Sequence, residues 1–285
     1  MYDPSVLRKA HLYIAGAMRA PCRGLLVNSR GRSGVAIYHL SAKVIGRSSG
    51  RSSVAAAAYR SGERLVDERT SLVHDYTRKR GEIECWIQAP EQAPEWARNR
   101  EELWNRVEAS EKRRDSQLCR EVEVALPKEL SREEQGDLVR DFVQEQFVSR
   151  GMVADVAIHR GDENNPHAHV LLTTREVSSE GFRKKVREWN GREVLEGWRE
   201  GWAERTNREL ERVGSLERID HRSFASRGID REPSVHEGPS VRQMEARGIS
   251  TERGSLNRAA RELNRQREEF GRERGWERSG PEIER

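Results

Sequence analysis

Polar and apolar positions alternate with a period of two in "CREVEVALP", residues 119–127, so one face carries Val122 and Val124 and the other Glu121 and Glu123. A half-buried β-strand has this pattern. "MVADVAIH" (152–159) and "HAHVLLTTR" (167–175) predict two more strands, joined by the turn "RGDENNP". Between the first strand and this pair, "ELSREEQGDLVRDFVQEQFVSRG" predicts a helix. Ser131 is its N-cap, Glu134 completes a capping box, and Gly151 lies past its end. "EWARNREELWNRVEASEKRRDSQ" (95–117) has Trp96, Leu103, Trp104 and Val107 near helical spacing.

Earlier in the chain, "VAIYHLSAK" (35–43) predicts a strand and "GRSSGRSS" (46–53) a loop rich in hydroxyls and backbone N–H groups. Four alanines in "SVAAAAYRSGERL" then favour a helix capped by Ser53, which places Tyr59 behind a basic loop. Residues 67–87 show no decisive period. The order β-α-β-α-β-β predicts an α+β fold: a central, mostly antiparallel sheet with flanking helices. Beyond 180 the chain turns helical and polar around Trp189, Trp198 and Trp202. A loop-rich stretch follows, then a charged helical tail or linker over 249–285, where Leu256, Leu263 and Phe270 recur at sevens. The domain that emerges covers 35–248, preceded by an extension, 1–34, without sustained period.

Charge sharpens this picture. The first 80 residues carry 15 Lys and Arg against 5 Asp and Glu, a net of +10; with +4 for the whole chain, the rest carries −6. A basic front end, mostly arginine, suits an anionic partner, because the guanidinium fork matches phosphate. Arg47, Arg51, Arg60, Arg78, Lys79 and Arg80 are the expected phosphate contacts. Three scattered cysteines, Cys22, Cys85 and Cys119, indicate neither a disulfide framework nor a cysteine zinc site. No apolar run reaches the ~18 residues needed to cross a bilayer. A cytoplasmic protein without membrane insertion is expected.

Three of the eight histidines, His159, His167 and His169, fall within eleven positions. On a strand His167 and His169 point to one face, and a hairpin can bring His159 beside them. Three converging imidazoles offer three ligands to a divalent metal and leave positions open for substrate. Such a site serves a water-activating hydrolase, an oxygenase or phosphoryl chemistry. A histidine-triad hydrolase needs one more alternating histidine, and Leu171 occupies that slot. The basic, serine-rich loop before Tyr59 points instead to a phenol attacking a phosphodiester. Glu121 and Glu123, on one strand face, can orient an imidazole or accept the phenolic proton. Asp75, in "VHDY", is a lesser candidate of the same kind.

"AIYHLSAK", "AAAAYRSGERL", "HDYTRKRGE", "EVEVALPKEL", "IHRGDENNPHAHVLLTTR" and "IDHRSFASRGIDREPSVHEGP" follow in the order and spacing of one family. In these motifs the chain resembles the MobA/MobL plasmid-mobilisation relaxases, which are HUH endonucleases. The resemblance covers about 35–248 and implies a sheet carrying three histidines with a tyrosine on a helix opposite. It implies Tyr59 as nucleophile, Glu121 and Glu123 as acids of the active site, and His159, His167 and His169 as ligands of Mg²⁺ or Mn²⁺. The implied activity is a site- and strand-specific nick in single-stranded DNA at an origin of transfer, leaving a 5′-phosphotyrosyl link. Relaxosome accessory proteins and a type IV secretion coupling protein are the implied partners. A rolling-circle replication initiator of the same superfamily and a three-histidine metal-dependent hydrolase are the alternatives. Relatives begin near the "AIYHL" strand, which makes Val35 a possible initiator and 1–34 an artefact of the start. Many relatives continue into a helicase or primase domain, so this chain is a compact form or a fragment.

Overall fold

The structure, a computed structural model, describes residues 38–79, 81–235 and 237–278. The extension 1–34, the first residues of the expected leading strand, Cys22 and Arg80 lie outside the described residues. Among those described, two compact units divide between His221 and Arg222.

The first unit is built on five strands: β1 (Leu40–Gly46), β4 (Ile83–Gln88), β5 (Gln117–Ala125), β6 (Ala154–His159) and β7 (His167–Thr173). Their order is β1-β5-β7-β6-β4, and every neighbouring pair is antiparallel. Two short hairpins stand apart from this sheet, β2–β3 (Arg64–Asp67, Leu72–Asp75) and β8–β9 (Arg175–Ser178, Gly181–Lys185). The first of them, from Asp67 on, and β4 occupy the stretch where the sequence has no clear period. Its strands are four residues long, and one edge of the hairpin leaves Leu72 and Val73 exposed, so no alternation develops.

Parity assigns the helices to the two faces. Ile45, Cys119 and Leu171 cluster with Val54, Ala57 and Ala58 of α1 (Ser53–Ser61) and with Leu103, Trp104 and Val107 of α2 (Arg100–Ser110). On the opposite face Arg140 of α3 (Arg132–Gln146) lies over Trp86, and Arg120 lies over Trp198 of α4 (Arg192–Arg212). The sheet is therefore sandwiched between two helical layers. The capping box expected for α3 is present: Ser131 accepts from the Glu134 N–H, and the Glu134 carboxylate accepts from the Ser131 N–H. For α1 the cap is Ser52, one residue before the expected Ser53. Its Oγ accepts from the Ala55 N–H, which frees Ser53 to donate to Glu108.

Aromatic rings knit α3 to α4: Phe142 meets Trp202 at 5.0 Å, and Phe147 meets Trp198 at 5.0 Å. Phe142→Ala is expected to cost about 3–5 kcal/mol in urea unfolding, because it leaves a void between two rings that are themselves buried. A change below about 1 kcal/mol would contradict this packing.

Among the described residues the second unit starts at Arg222. It consists of α5 (Gly238–Ala246) packed on α6 (Glu252–Arg278), with an extended segment held along α6. Asn257 and Asn264 fix that segment, each accepting from one backbone N–H and donating to the same residue's carbonyl, at Val235 and Glu232. These contacts tie the loop-rich stretch to the helix after it. No described helix is long and apolar enough to cross a membrane.

Candidate active site

The antiparallel register brings the three histidines together. His159, the last residue of β6, pairs directly with His167, the first of β7, and His169 stands opposite Ala157. The ring centroids are 5.3 Å apart for His159–His167, 4.8 Å for His159–His169 and 5.0 Å for His167–His169. One nitrogen from each ring lies within 4.8 Å of the others.

Protein acceptors lie beside one nitrogen of each ring. His159 Nε2 donates to the Arg60 carbonyl at 2.7 Å, and His167 Nδ1 donates to the Asn165 carbonyl at 2.7 Å. A carbonyl only accepts, so those nitrogens carry the protons. His169 Nδ1 lies 2.7 Å from Glu121 Oε1, bent off the line of an ideal hydrogen bond. An acceptor-only carboxylate beside Nδ1 favours the proton there as well. Each imidazole thus keeps one free lone pair, the state in which histidine binds a metal. The donor set fits a divalent cation.

Electrostatics maintain that state. Burial pushes the His159 imidazole down to about 4, against the opposing bond to the Arg60 carbonyl. Burial also lowers His169, although Glu121 pulls the other way. Burial disfavours ionisation of Glu121, but His169 and Arg60 outweigh it and hold the carboxyl well below the usual carboxylate range. A proton on His159 is thus favoured in the unfolded chain below its ordinary value near 6.5, and in the folded chain only below about 4. Thermal stability of the metal-free protein is therefore expected to fall as pH drops from about 6.5 to about 4. His159→Gln should flatten that part of the melting-temperature profile; an equally steep profile in the variant would remove His159 from the account.

Glu121 and Glu123 share the histidine face, as their alternation predicts; Glu123 pairs with His169 across β5 and β7. The two differ in environment. The Glu121 side chain is fully buried and held by Lys43 at 2.9 Å and by Arg60 at 2.5 and 3.0 Å. That of Glu123 is 31% exposed, 4.0 Å from His169 Nδ1 and 3.9 Å from His39 Nε2. Lys43 was legible in principle, since it lies opposite Glu121 in β1, but only the register of β1 on β5 reveals the pairing.

Tyr59 lies near the C-terminal end of α1. Ala57 and Ala58 are fully buried, so methyl groups let the helix sit close on the sheet. The helix stops at Gly62, whose φ of 70° suits glycine and whose Cβ, if present, would meet Ile83 at 3.0 Å. Tyr59 is 44% exposed. Tyr76 meets it edge-on at 5.2 Å, and the cations of Lys79 and Arg60 lie 4.2 and 4.9 Å from its centre. Lys79 also donates to the Tyr59 carbonyl at 2.9 Å, and burial together with nearby Arg60 lowers its pKa.

The expected phosphate contacts separate into two groups. Arg51 and Arg78 are exposed. Arg47 turns inward to the Glu108 carboxylate at 2.7 Å and to the Glu111 carbonyl, where it pins the loop before α1 to the end of α2. Arg60 and Lys79 are engaged as described above. Asp75 accepts from the Thr77 N–H and hydroxyl within its own turn.

Residues 51–247 match the model of the MobA/MobL family. The chain belongs to the MobA/MobL family. Among its relatives, the conjugal transfer protein TraA of Rhizobium radiobacter is 38% identical over 270 residues, which are 82% of this chain and 24% of that protein. The mobilization protein MobL of Acidithiobacillus ferridurans is 38% identical over 266 residues, 81% of this chain and 68% of that protein. The chain thus spans about a quarter of the TraA length and about two thirds of MobL. A solved structure described as the molecular basis of vancomycin resistance transfer in Staphylococcus aureus superimposes with a TM-score of 0.63 at 32% identity. That match covers 66% of this chain and all of that one. That structure shares the antiparallel sheet with flanking helices described above.

Proposed function

We propose that this chain is a relaxase that nicks one strand of DNA at an origin of transfer and keeps the new 5′ end on Tyr59. The observation that carries this reading is the convergence of three metal-competent imidazoles with the helix that bears an accessible phenol, within a MobA/MobL chain.

The Tyr59 oxygen attacks the phosphorus of a phosphodiester and forms a new O–P bond, while the bond to the 3′ oxygen breaks. The phenolic proton passes to a carboxylate, for which Glu123 is the candidate because it is partly exposed and less committed than Glu121. The departing 3′ oxygen takes a proton from solvent. One ester replaces another, so the step is reversible and requires no nucleotide cofactor. Mg²⁺ or Mn²⁺ held by His159, His167 and His169 would draw charge from the non-bridging phosphate oxygens. Glu121, buried and ionised, orients His169 and is not a proton acceptor. Arg51 and Arg78 are the expected side chains for backbone phosphates. The reading places the protein in the cytoplasm of a bacterium, working with accessory proteins at the origin and with a secretion coupling protein.

End-mapping tests it. Single-stranded oligonucleotides tiling the replicon that encodes the chain are incubated with protein and Mg²⁺, labelled at either end. One tile should be cut at one phosphate, with the 3′-labelled product retained on protein in a denaturing gel and the 5′-labelled product free. A protein link to the opposite end, or cleavage with no adduct, contradicts the reading. Adduct formation at a replication origin would assign the chain to rolling-circle initiation.

A further inference from the structure

Arg60 directly follows Tyr59 and reaches the histidine cluster twice. Its carbonyl, one of the last of α1 and so without a helical partner, accepts from His159 Nε2 at 2.7 Å. Its guanidinium forks onto Glu121, Nε to Oε1 at 2.5 Å and Nη2 to Oε2 at 3.0 Å. Glu121 Oε1 in turn lies 2.7 Å from His169 Nδ1. Two imidazoles on neighbouring strands are therefore tied to the residue beside Tyr59, one through its main chain and one through its side chain.

We infer that Arg60 is a positioning residue that locks the Tyr59 helix to the metal-binding histidines, and is not a phosphate contact. The inference rests on the reading of Tyr59 as nucleophile and of the histidines as metal ligands. The Arg60 side chain is 17% exposed, and its fork is taken up by a carboxylate with no exposure at all. Little of the guanidinium is left for a phosphate. A planar bidentate fork also fixes an orientation that a lysine cannot reproduce. Lys43, on the same carboxylate, supplies charge but is anchored on β1 and carries no information about α1. What Arg60 adds is a fixed rotation of α1 relative to His159 and His169, which makes cation binding and Tyr59 placement one arrangement. Binding free energies coupled in this way are reciprocal, so the link is measurable from the metal side without DNA.

Three readouts on Arg60→Ala and Arg60→Lys test this: Mn²⁺ affinity of the DNA-free protein by calorimetry, single-stranded DNA affinity across a salt series, and single-turnover cleavage at saturating Mn²⁺ and DNA. Arg60→Ala is expected to weaken Mn²⁺ binding by about 10- to 100-fold, as for other partners of metal-ligating histidines. Cleavage should slow even at saturation, with DNA affinity and its salt dependence unchanged. Arg60→Lys should recover only part of either loss. A phosphate contact gives the reverse pattern: Mn²⁺ affinity intact, a salt slope smaller by roughly 0.7, and rescue by lysine. That result overturns the inference.

Should Arg60→Ala not fold, Arg60→Met combined with Glu121→Gln leaves no buried charge unpaired. Its Mn²⁺ affinity should equal that of Glu121→Gln alone, because Arg60 acts through that carboxylate; additive losses overturn the inference. The Mn²⁺ measurement requires no cleavage, so it decides the coupling even if the nicking assay fails.

Discussion

Tyr59→Phe is expected to bind the cognate single strand as tightly as the unaltered protein and to leave it uncut. Removing a nucleophile typically costs at least about 10⁴-fold in single-turnover rate, and no protein–DNA adduct should form. The substitution deletes one oxygen and keeps the ring, so the edge contact with Tyr76 and the cations of Lys79 and Arg60 over the ring face are retained. With those contacts intact, the helix stays in place and DNA affinity should change by no more than about 2-fold, a few tenths of a kcal/mol. Cleavage of the tile by Tyr59→Phe at the original rate would remove the nucleophile from the account, whatever the state of the histidines.

The second large effect is expected at His167. Its Nδ1 is held by the Asn165 carbonyl in its own turn, so His167→Ala removes one of the three imidazoles without disturbing Glu121, Arg60 or Lys43. Cleavage should fall by roughly 10²- to 10³-fold at limiting Mn²⁺, comparable to losing one electrostatic contact to a developing charge. Part of that loss should return when Mn²⁺ is raised, because two imidazoles remain. Calorimetry on the DNA-free variant should show the weakened site directly. An unchanged Mn²⁺ dependence would mean that the three rings are not its ligands.

The features of the site governed by strand parity were legible in the sequence, whereas those governed by long-range pairing were not. His167 and His169 share a face because they are two apart on a strand, and the turn after His159 sets it opposite His167. Glu121 and Glu123 follow the same rule. Parity does not reveal that Glu121 is buried under Lys43 and Arg60 while Glu123 reaches solvent. That difference arises from β1 on one side and α1 above, which come from about 60 to 80 residues earlier in the chain. The basic residues show the same limit. Arg47, Arg60 and Lys79 read as a phosphate-seeking cluster by composition, yet each finds an acceptor supplied from elsewhere in the fold: Glu108, Glu121 and the Tyr59 carbonyl. The two short hairpins escaped because four- and five-residue strands with exposed positions generate no measurable period. The helix after the basic loop was visible from its alanines, but its depth on the sheet depends on Ala57 and Ala58 meeting residues of α2 and β5.

The covalent link itself is the most direct evidence to seek. The protein is trapped with a cleaved tile, digested with nuclease and trypsin, and its peptides are weighed and sequenced by mass spectrometry. Residues 52–60 form one tryptic peptide, with Tyr59 as its only tyrosine. This peptide is expected to gain the mass of a 5′-linked nucleotide at Tyr59. A nicked tile whose nucleotide is found on any other residue, or on no peptide at all, would contradict it.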